Sequence, residues 1–378
     1  MSGDISRVSS YTNPDVDALT EAFRHDRAAT VGLEEELMLL DPETLDLAPC
    51  APALLAMLGG DERFKAELPA AQLEIVGRPS ASVPAAAAEL LQARIDLTRA
   101  AAGLALPAGA GVHPFASGLG EVSPGERYER ILGEYGGVVR RQLVFGLHVH
   151  VALGGPDRAL AVYNALREHL PALAALAGAS PFYEGRDTGL ASVRPKLSEL
   201  LPRQGIPPAF ADWEAFGRAL RWGREVNVFA DARWWWEARL HPVHGTIEVR
   251  VPDTQATVGE TAAVAAVVHA LVARLAERHD ARELPEPAET WQIAENRWSA
   301  CRHGVAGRWV EPRSGTTLSM RAHLHALLDE LEPAAERLGC GAELARARGR
   351  VDDAAVESAR STGPRPLAES LVERFLAV

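Results

Sequence analysis

Four short segments of this chain alternate apolar and polar residues with a period of two: TVGLEEELMLL (30–40), AAQLEIVG (70–77), QLVFGLHVHVAL (142–153) and HGTIEVRVPD (244–253). That period marks a half-buried strand, because successive side chains leave opposite faces of a sheet. Here the polar face carries reactive groups. Glu34 and Glu36 share one face of the first segment, while Glu35 falls with Leu33 and Leu37. Glu74 and Gln72 lie opposite Leu73 and Ile75; His148 and His150 lie opposite Leu147, Val149 and Val151; Glu248 and Arg250 lie opposite Ile247, Val249 and Val251. If the strands are neighbours, Glu34, Glu36, Glu74 and Glu248 converge, and two carboxylates about 5 Å apart repel by roughly 3 kcal/mol at an effective dielectric near 20. Such a surface calls for cations. Glu35 reads as a surface, edge or ion-paired residue whose loss should be mild.

A fifth strand is expected in WWWEARLHP, paired with the last segment through HPVHG, where Pro242 and Gly245 suit a reversal. The tryptophans of that stretch read as sheet packing. Helices are signalled by Ser82 and Pro84 ahead of a run ending at Gly103, by Ser123 and Pro124 ahead of ERYERILGEY, and by Thr257 with Glu260 as a capping box. The pattern from about residue 315 to 378 is helical. No linker or repeat is evident, so the expectation is one α+β domain over 1–378: an antiparallel sheet with helices on one face and a helical C-terminal region.

Composition removes several classes. With 51 acidic against 39 basic residues the formal charge is −12, and no Lys/Arg block occurs, so nucleic acid is not an expected partner. Neither an uninterrupted run of about 18 apolar residues nor an apolar N-terminal leader is present, which points to a cytoplasmic protein without a membrane partner. Cys50, Cys301 and Cys340 stand far apart with no CxxC, arguing against a disulfide framework or thiolate metal site. The lysines, Lys65 and Lys196, lie outside any GxxxxGK[ST], and no GxGxxG follows a strand.

Clustered carboxylates with one or two imidazoles suit Mg²⁺ or Mn²⁺, and no HExxH argues for zinc. Sites of that kind serve triphosphates and phosphoryl transfer. Arg250, and Arg186 and Arg194 in the loop SPFYEGRDTGLASVRPKL, offer guanidinium groups for a carboxylate or phosphate. Two rivals stand beside this reading. A metal-dependent hydrolase or amidinotransferase would show a nucleophilic Cys near a His, which neither Cys50 nor Cys301 provides; a non-catalytic binding protein would have less need of acids on four strands.

The stretches VGLEEELMLLDPET, QLEIV, GLHVHV, SPFYEGRDTGLASVRP, GTIEVRVPD and ENRWSACRHGV, in this order between about residues 30 and 310, resemble the type 2 branch of the glutamate–cysteine ligases, the carboxylate–amine ligases. The resemblance implies a catalytic sheet like that of glutamine synthetase, with ATP and Mg²⁺ on one face. It implies metal-binding roles for Glu34, Glu36, Glu74, His148 and Glu248, and a place for Arg250 near the transferred phosphate. Arg186, Arg194, Asn296 and Arg297 would lie in or beside the substrate and nucleotide pocket. The reaction implied is activation of a carboxylate by ATP to an acyl phosphate and its capture by an amine, with glutamate and cysteine as substrates and room for a homodimer. Departures fall at His303 in RHGV, where the family commonly has tyrosine, at Glu237, where aspartate is expected, and at His150. These bear on substrate identity.

Overall fold

A seven-stranded sheet organises the molecule, and the computed structural model describes it within residues 16–25, 29–225, 234–353 and 355–378. In chain order its strands are β1 (Val31–Leu40), β2 (Phe64–Ala66), β3 (Gln72–Val76), β4 (Leu106–Ala108) and β5 (Leu147–Ala152). A small hairpin, β6 (Phe182–Tyr183) and β7 (Arg186–Asp187), intervenes before β8 (Ala238–His241) and β9 (Thr246–Val249) return to the sheet. A second hairpin joins β10 (Arg308–Val310) to β11 (Thr317–Ser319). The spatial order is β2-β3-β1-β5-β9-β8, with β4 on the far end of β1, and each ladder is antiparallel.

The register decides which side chains meet. Glu36 stands opposite Glu74, Glu34 opposite His148, and His150 opposite Glu248, which in turn faces Arg239 on β8. All alternate with the apolar set Leu33, Leu37, Leu73, Ile75, Leu147, Val149, Val151, Ile247 and Val249, which is buried against the helical layer. At the centre of that layer is the helix Val258–Asp280, packed by the helices Val83–Ala100, Pro156–Leu166, Met320–Arg337 and Gly341–Asp352. Its start carries the expected box: the Thr257 hydroxyl accepts from Glu260 N, and the Glu260 carboxylate accepts from Thr257 N. This helix is long and apolar enough to cross a membrane, but most of it lies inside the protein as a core element.

Three expectations change. The strand expected from residue 142 begins at Leu147, because Gly136–Arg141 forms a 3₁₀ turn and the chain then runs irregularly to Gly146. The helix expected to be capped by Ser123 begins at Glu126; residues 122 and 123 are held extended by the Val122–Pro69 bridge and by Ser123 N donating to Leu68 O. The tryptophans precede β8: Trp234 and Trp236 join the core, while Trp235 faces the cavity described below.

Of the readings open for Glu35, the structure has the ion-paired one and corrects the surface and edge placements and the mild loss. Glu35 points into the core, fully buried, and meets Arg94 of the helix Val83–Ala100, also fully buried, at 2.9 and 2.8 Å in a bidentate pair. Thr261 Oγ1 donates to the same carboxylate at 2.5 Å. Arg94 spends its remaining donors on the carbonyls of Gln255, Ala256 and Phe375, and its guanidinium lies 4.5 Å from the Phe375 ring centre. One buried charge pair thus joins β1, two helices and the C-terminal segment.

Candidate active site

The polar face of the sheet floors a cavity of about 580 Å³. Strand alternation presents Glu34, Glu36, Glu74 and His148 to it, and Arg250 reaches it from the end of β9. His148 lies at the middle of the floor. Its Nδ1 is 3.2 Å from Glu34 Oε2, 3.9 Å from Glu248 Oε1 and 4.0 Å from Glu74 Oε1, and its Nε2 is 3.9 Å from Glu36 Oε1. Arg250 Nη1 is also 3.3 Å from Nδ1, so the ring satisfies one neighbour at a time: a protonated Nδ1 donates to Glu34, a bare one accepts from Arg250. Burial, reinforced by Arg250, pushes the imidazole down to about 4, which keeps it neutral near pH 7.

The acids are unequal. Glu248 is wholly buried and accepts from both Arg239 and Arg250; burial opposes its ionisation, but these two guanidinium groups hold it well below the usual carboxylate range. For Glu34 burial is likewise outweighed, here by His150, whose Nε2 is 3.4 Å away, and by His148. Glu36 is pushed up to about 7 by burial and then by Glu67, although Arg194 and Arg250 favour its charge and Gly146 N donates to Oε2 at 2.5 Å. Glu74 is raised well above the usual carboxylate range, by burial and by Glu34, Glu67 and Glu36. Two acids with frustrated charge, Glu36 and Glu74, therefore share the floor with Glu34, whose charge is paired, above the likewise paired Glu248.

Three of these side chains are placed so that they could hold a cation. One ligand atom each from Glu34, His148 and Glu248 lie within 4.8 Å of one another, and the Nε2 atoms of His148 and His150 are buried without a hydrogen-bond partner. Oxygen-rich donors with a bare imidazole nitrogen fit a hard divalent ion.

Other expected site residues divide. Arg194, at the start of the short helix Arg194–Ser198, lines the cavity, but its Nη atoms donate to the carbonyls of Val251 and Arg250, and Asp253 Oδ1 is 3.9 Å away. Gly146 makes room for it: a Cβ there would fall 2.1 Å from Arg194 Nη2 and 3.1 Å from Glu36 Oε2. Asp253 also accepts from Ala179 N and from the hydroxyls of Ser180 and Ser192, fastening the loop that leads to Arg194. Arg297 lines the cavity and pairs with Glu237 and Glu199, each at 2.5 Å. Asn296 does not face the cavity; its amide exchanges two hydrogen bonds with the backbone of Val310, holding β10 to its helix. Arg186 is exposed on the β6–β7 hairpin, away from the cavity lining, and His303 is exposed at a helix end.

Sequence reasoning missed Glu67, which lines the cavity beside Glu74 and whose carboxyl burial pushes up. It also missed Lys65 and Arg239. The signal for Lys65 and Glu67 was the alternation in FKAE, four residues long and cut off by Pro69.

The family to which the chain belongs and its relatives place it among the ATP-dependent carbon–nitrogen ligases of the glutamate–cysteine ligase class. The chain belongs to the glutamate–cysteine ligase family 2 (GCS2), whose profile matches residues 30–363. A protein described as "Putative glutamate--cysteine ligase 2-3" from Rubrobacter xylanophilus is 40% identical over 322 residues, 83% of this chain and 86% of that protein. A "Putative glutamate--cysteine ligase 2" from Micrococcus luteus is 36% identical over 365 residues, 93% of this chain and 91% of that one. Among solved structures, the glutamate–cysteine ligase of Francisella tularensis in complex with AMP has the same fold at 14% identity, with a TM-score of 0.68 over 94% of this chain and 90% of that chain. A bifunctional glutathione synthetase from Pasteurella multocida gives a TM-score of 0.67 at 14% identity, covering 96% of this chain and 53% of that one.

Proposed function

We propose that the protein joins a carboxylate to an amine at the expense of ATP through an acyl phosphate, with the γ-carboxyl of L-glutamate and the amine of L-cysteine as the first pair. The observation that carries this reading is the convergence of Glu34, Glu36, Glu74, His148 and Arg250 on one cavity floor, with Glu248 beneath them. Bound Mg²⁺ or Mn²⁺ would neutralise phosphate charge between these carboxylates. Glu34, His148 and Glu248 would hold one ion, with Glu36 and Glu74 beside them as further donors. Arg250, anchored on Glu248, offers its guanidinium to the phosphoryl group in transfer. Arg194, committed to backbone carbonyls, orients the floor beside Glu36 rather than gripping substrate. No protein nucleophile is required, in keeping with a Cys301 thiol that burial pushes up to about 12.

The test is ADP release by purified protein with ATP and Mg²⁺ across a panel of carboxylate and amine pairs. The reading predicts release that needs both co-substrates and the divalent ion. A rate equal to that of the protein with ATP alone, across the whole panel, would leave only a nucleotide-binding role.

A further inference from the structure

One helix away from the cavity floor presents tryptophan to solvent. In Thr290–His303 the side chains of Ile293, Asn296, Arg297 and Ala300 are buried, which leaves Trp291, Glu295, Trp298 and Arg302 turned outwards. These four recur at intervals of three and four residues, so they form one stripe along the helix. Trp291 is 65% and Trp298 46% exposed, and among the described residues no other helix exposes two large apolar side chains. With at most about 250 Å² on a full indole side chain, the two leave roughly 280 Å² of aromatic surface in water on each molecule. The charges of the stripe are unspent: Glu295 stands three residues before Trp298 and Arg302 four after it, and among the described residues neither makes an ion pair.

We infer that this stripe is an interface between two copies of the chain, whose helices pack antiparallel about a two-fold axis at Trp298. The order acid, tryptophan, base selects a second copy. Turning a helix end for end exchanges the two charges, so Trp298 meets its own counterpart on the axis while Glu295 of each copy comes opposite Arg302 of the other. The mismatch in this register is one residue, about 1.5 Å, which long side chains absorb. Ala294, directly across from the partner's Arg302, is small and leaves room for the pair. Trp291 then lies over the turn Gly304–Ala306 of the partner subunit. A parallel arrangement would instead set Glu295 against Glu295 and Arg302 against Arg302. Indoles from both copies supply roughly 560 Å², over half of the about 1,000 Å² that a specific interface buries. Val310, exposed on β10 and held to this helix through Asn296, extends the apolar surface. An interface at the low end of the size range corresponds to a dissociation constant on the order of micromolar.

Sedimentation velocity over concentrations that bracket the micromolar range tests this. The unmodified protein should show a monomer–dimer equilibrium. Trp298→Gln, Glu295→Arg and Arg302→Glu should each weaken it at least about tenfold, because symmetry places every change in the interface twice. Glu295→Arg combined with Arg302→Glu should restore most of the loss, since the reversed order is again self-complementary. Melting temperatures of the monomers should match, as the altered side chains face solvent. An unmodified protein that stays monomeric throughout overturns the inference and leaves the stripe to a different partner. A dimer that Trp298→Gln leaves intact overturns it by placing the interface elsewhere, and so does a charge-swapped protein that dimerises no better than its single variants. None of these readings needs turnover, so they stand apart from the ligase assay.

Discussion

Glu35→Gln should be one of the most destabilising single-atom changes available in this protein, although its neighbours Glu34 and Glu36 belong to the site. Arg94 donates to three backbone carbonyls and, through two bonds, to Glu35, the one acid with which it forms an ion pair among the described residues. Glutamine keeps the shape and one acceptor but removes the charge, leaving a guanidinium with no solvent access and no counter-ion. Breaking a buried pair from one side costs about 3–5 kcal/mol, against a total stability of roughly 5–15 kcal/mol for a typical domain. The assay is urea unfolding followed by tryptophan fluorescence, without metal, so that the cavity floor contributes equally in both proteins. A second arm replaces both partners with apolar residues, Glu35→Leu with Arg94→Met, which should recover a large part of the loss because no buried charge remains. A Glu35→Gln protein within about 0.5 kcal/mol of the parent, the range of ordinary surface substitutions, would refute the assignment of this pair as a structural node.

The same substitution one residue along should have the opposite sign. Glu36 is raised from 4.5 to about 7, so the folded state holds its proton more tightly and the metal-free protein loses stability as pH rises from 4.5 through 7; Glu36→Gln should be more stable than the parent at pH 8, by at most about 3 kcal/mol, with the gap vanishing near pH 4.5, while ADP release is lost. Thermal melts against pH check this, and a variant destabilised at pH 8 contradicts it. Glu248→Gln should behave differently again: removing the acceptor of Arg239 and Arg250 should cost about 3–5 kcal/mol as well as turnover, read in the same urea experiment. Gly146→Ala should lower the ADP-release rate at least about tenfold, because its methyl group displaces Arg194 and Glu36, with a smaller drop in melting temperature than Glu35→Gln, since the atoms that must move end flexible side chains. Unchanged kinetics would show that the Arg194 guanidinium has another place to go.

The sequence by itself determined the sheet and its polarity. Period-two alternation assigns Glu34, Glu36, Glu74, His148 and Glu248 to one set of faces without any knowledge of pairing, because the side-chain direction of a strand is a local property. The capping box at Thr257 and the turn at Pro242–Gly245 are local in the same sense, and the structure has both. What the fold alone decided is everything that depends on a partner distant in the chain. Alternation sends Glu35 to the back of the sheet but says nothing of Arg94, 59 positions away, so a residue that seemed dispensable is a buried charge pair. A motif match groups Arg186 and Asn296 with Arg194 and Arg297, yet one side chain ends on an exposed hairpin and another is spent on Val310, while Lys65 enters the cavity from a strand too short to show a period and Glu67 from the residue that follows it. Strand order and register then placed Glu36 beside Glu74 and Glu248 beneath two arginines, giving chemically identical carboxylates opposite charge preferences. A carboxylate's ionisation follows from burial and from the charges around it, and tertiary packing alone sets both.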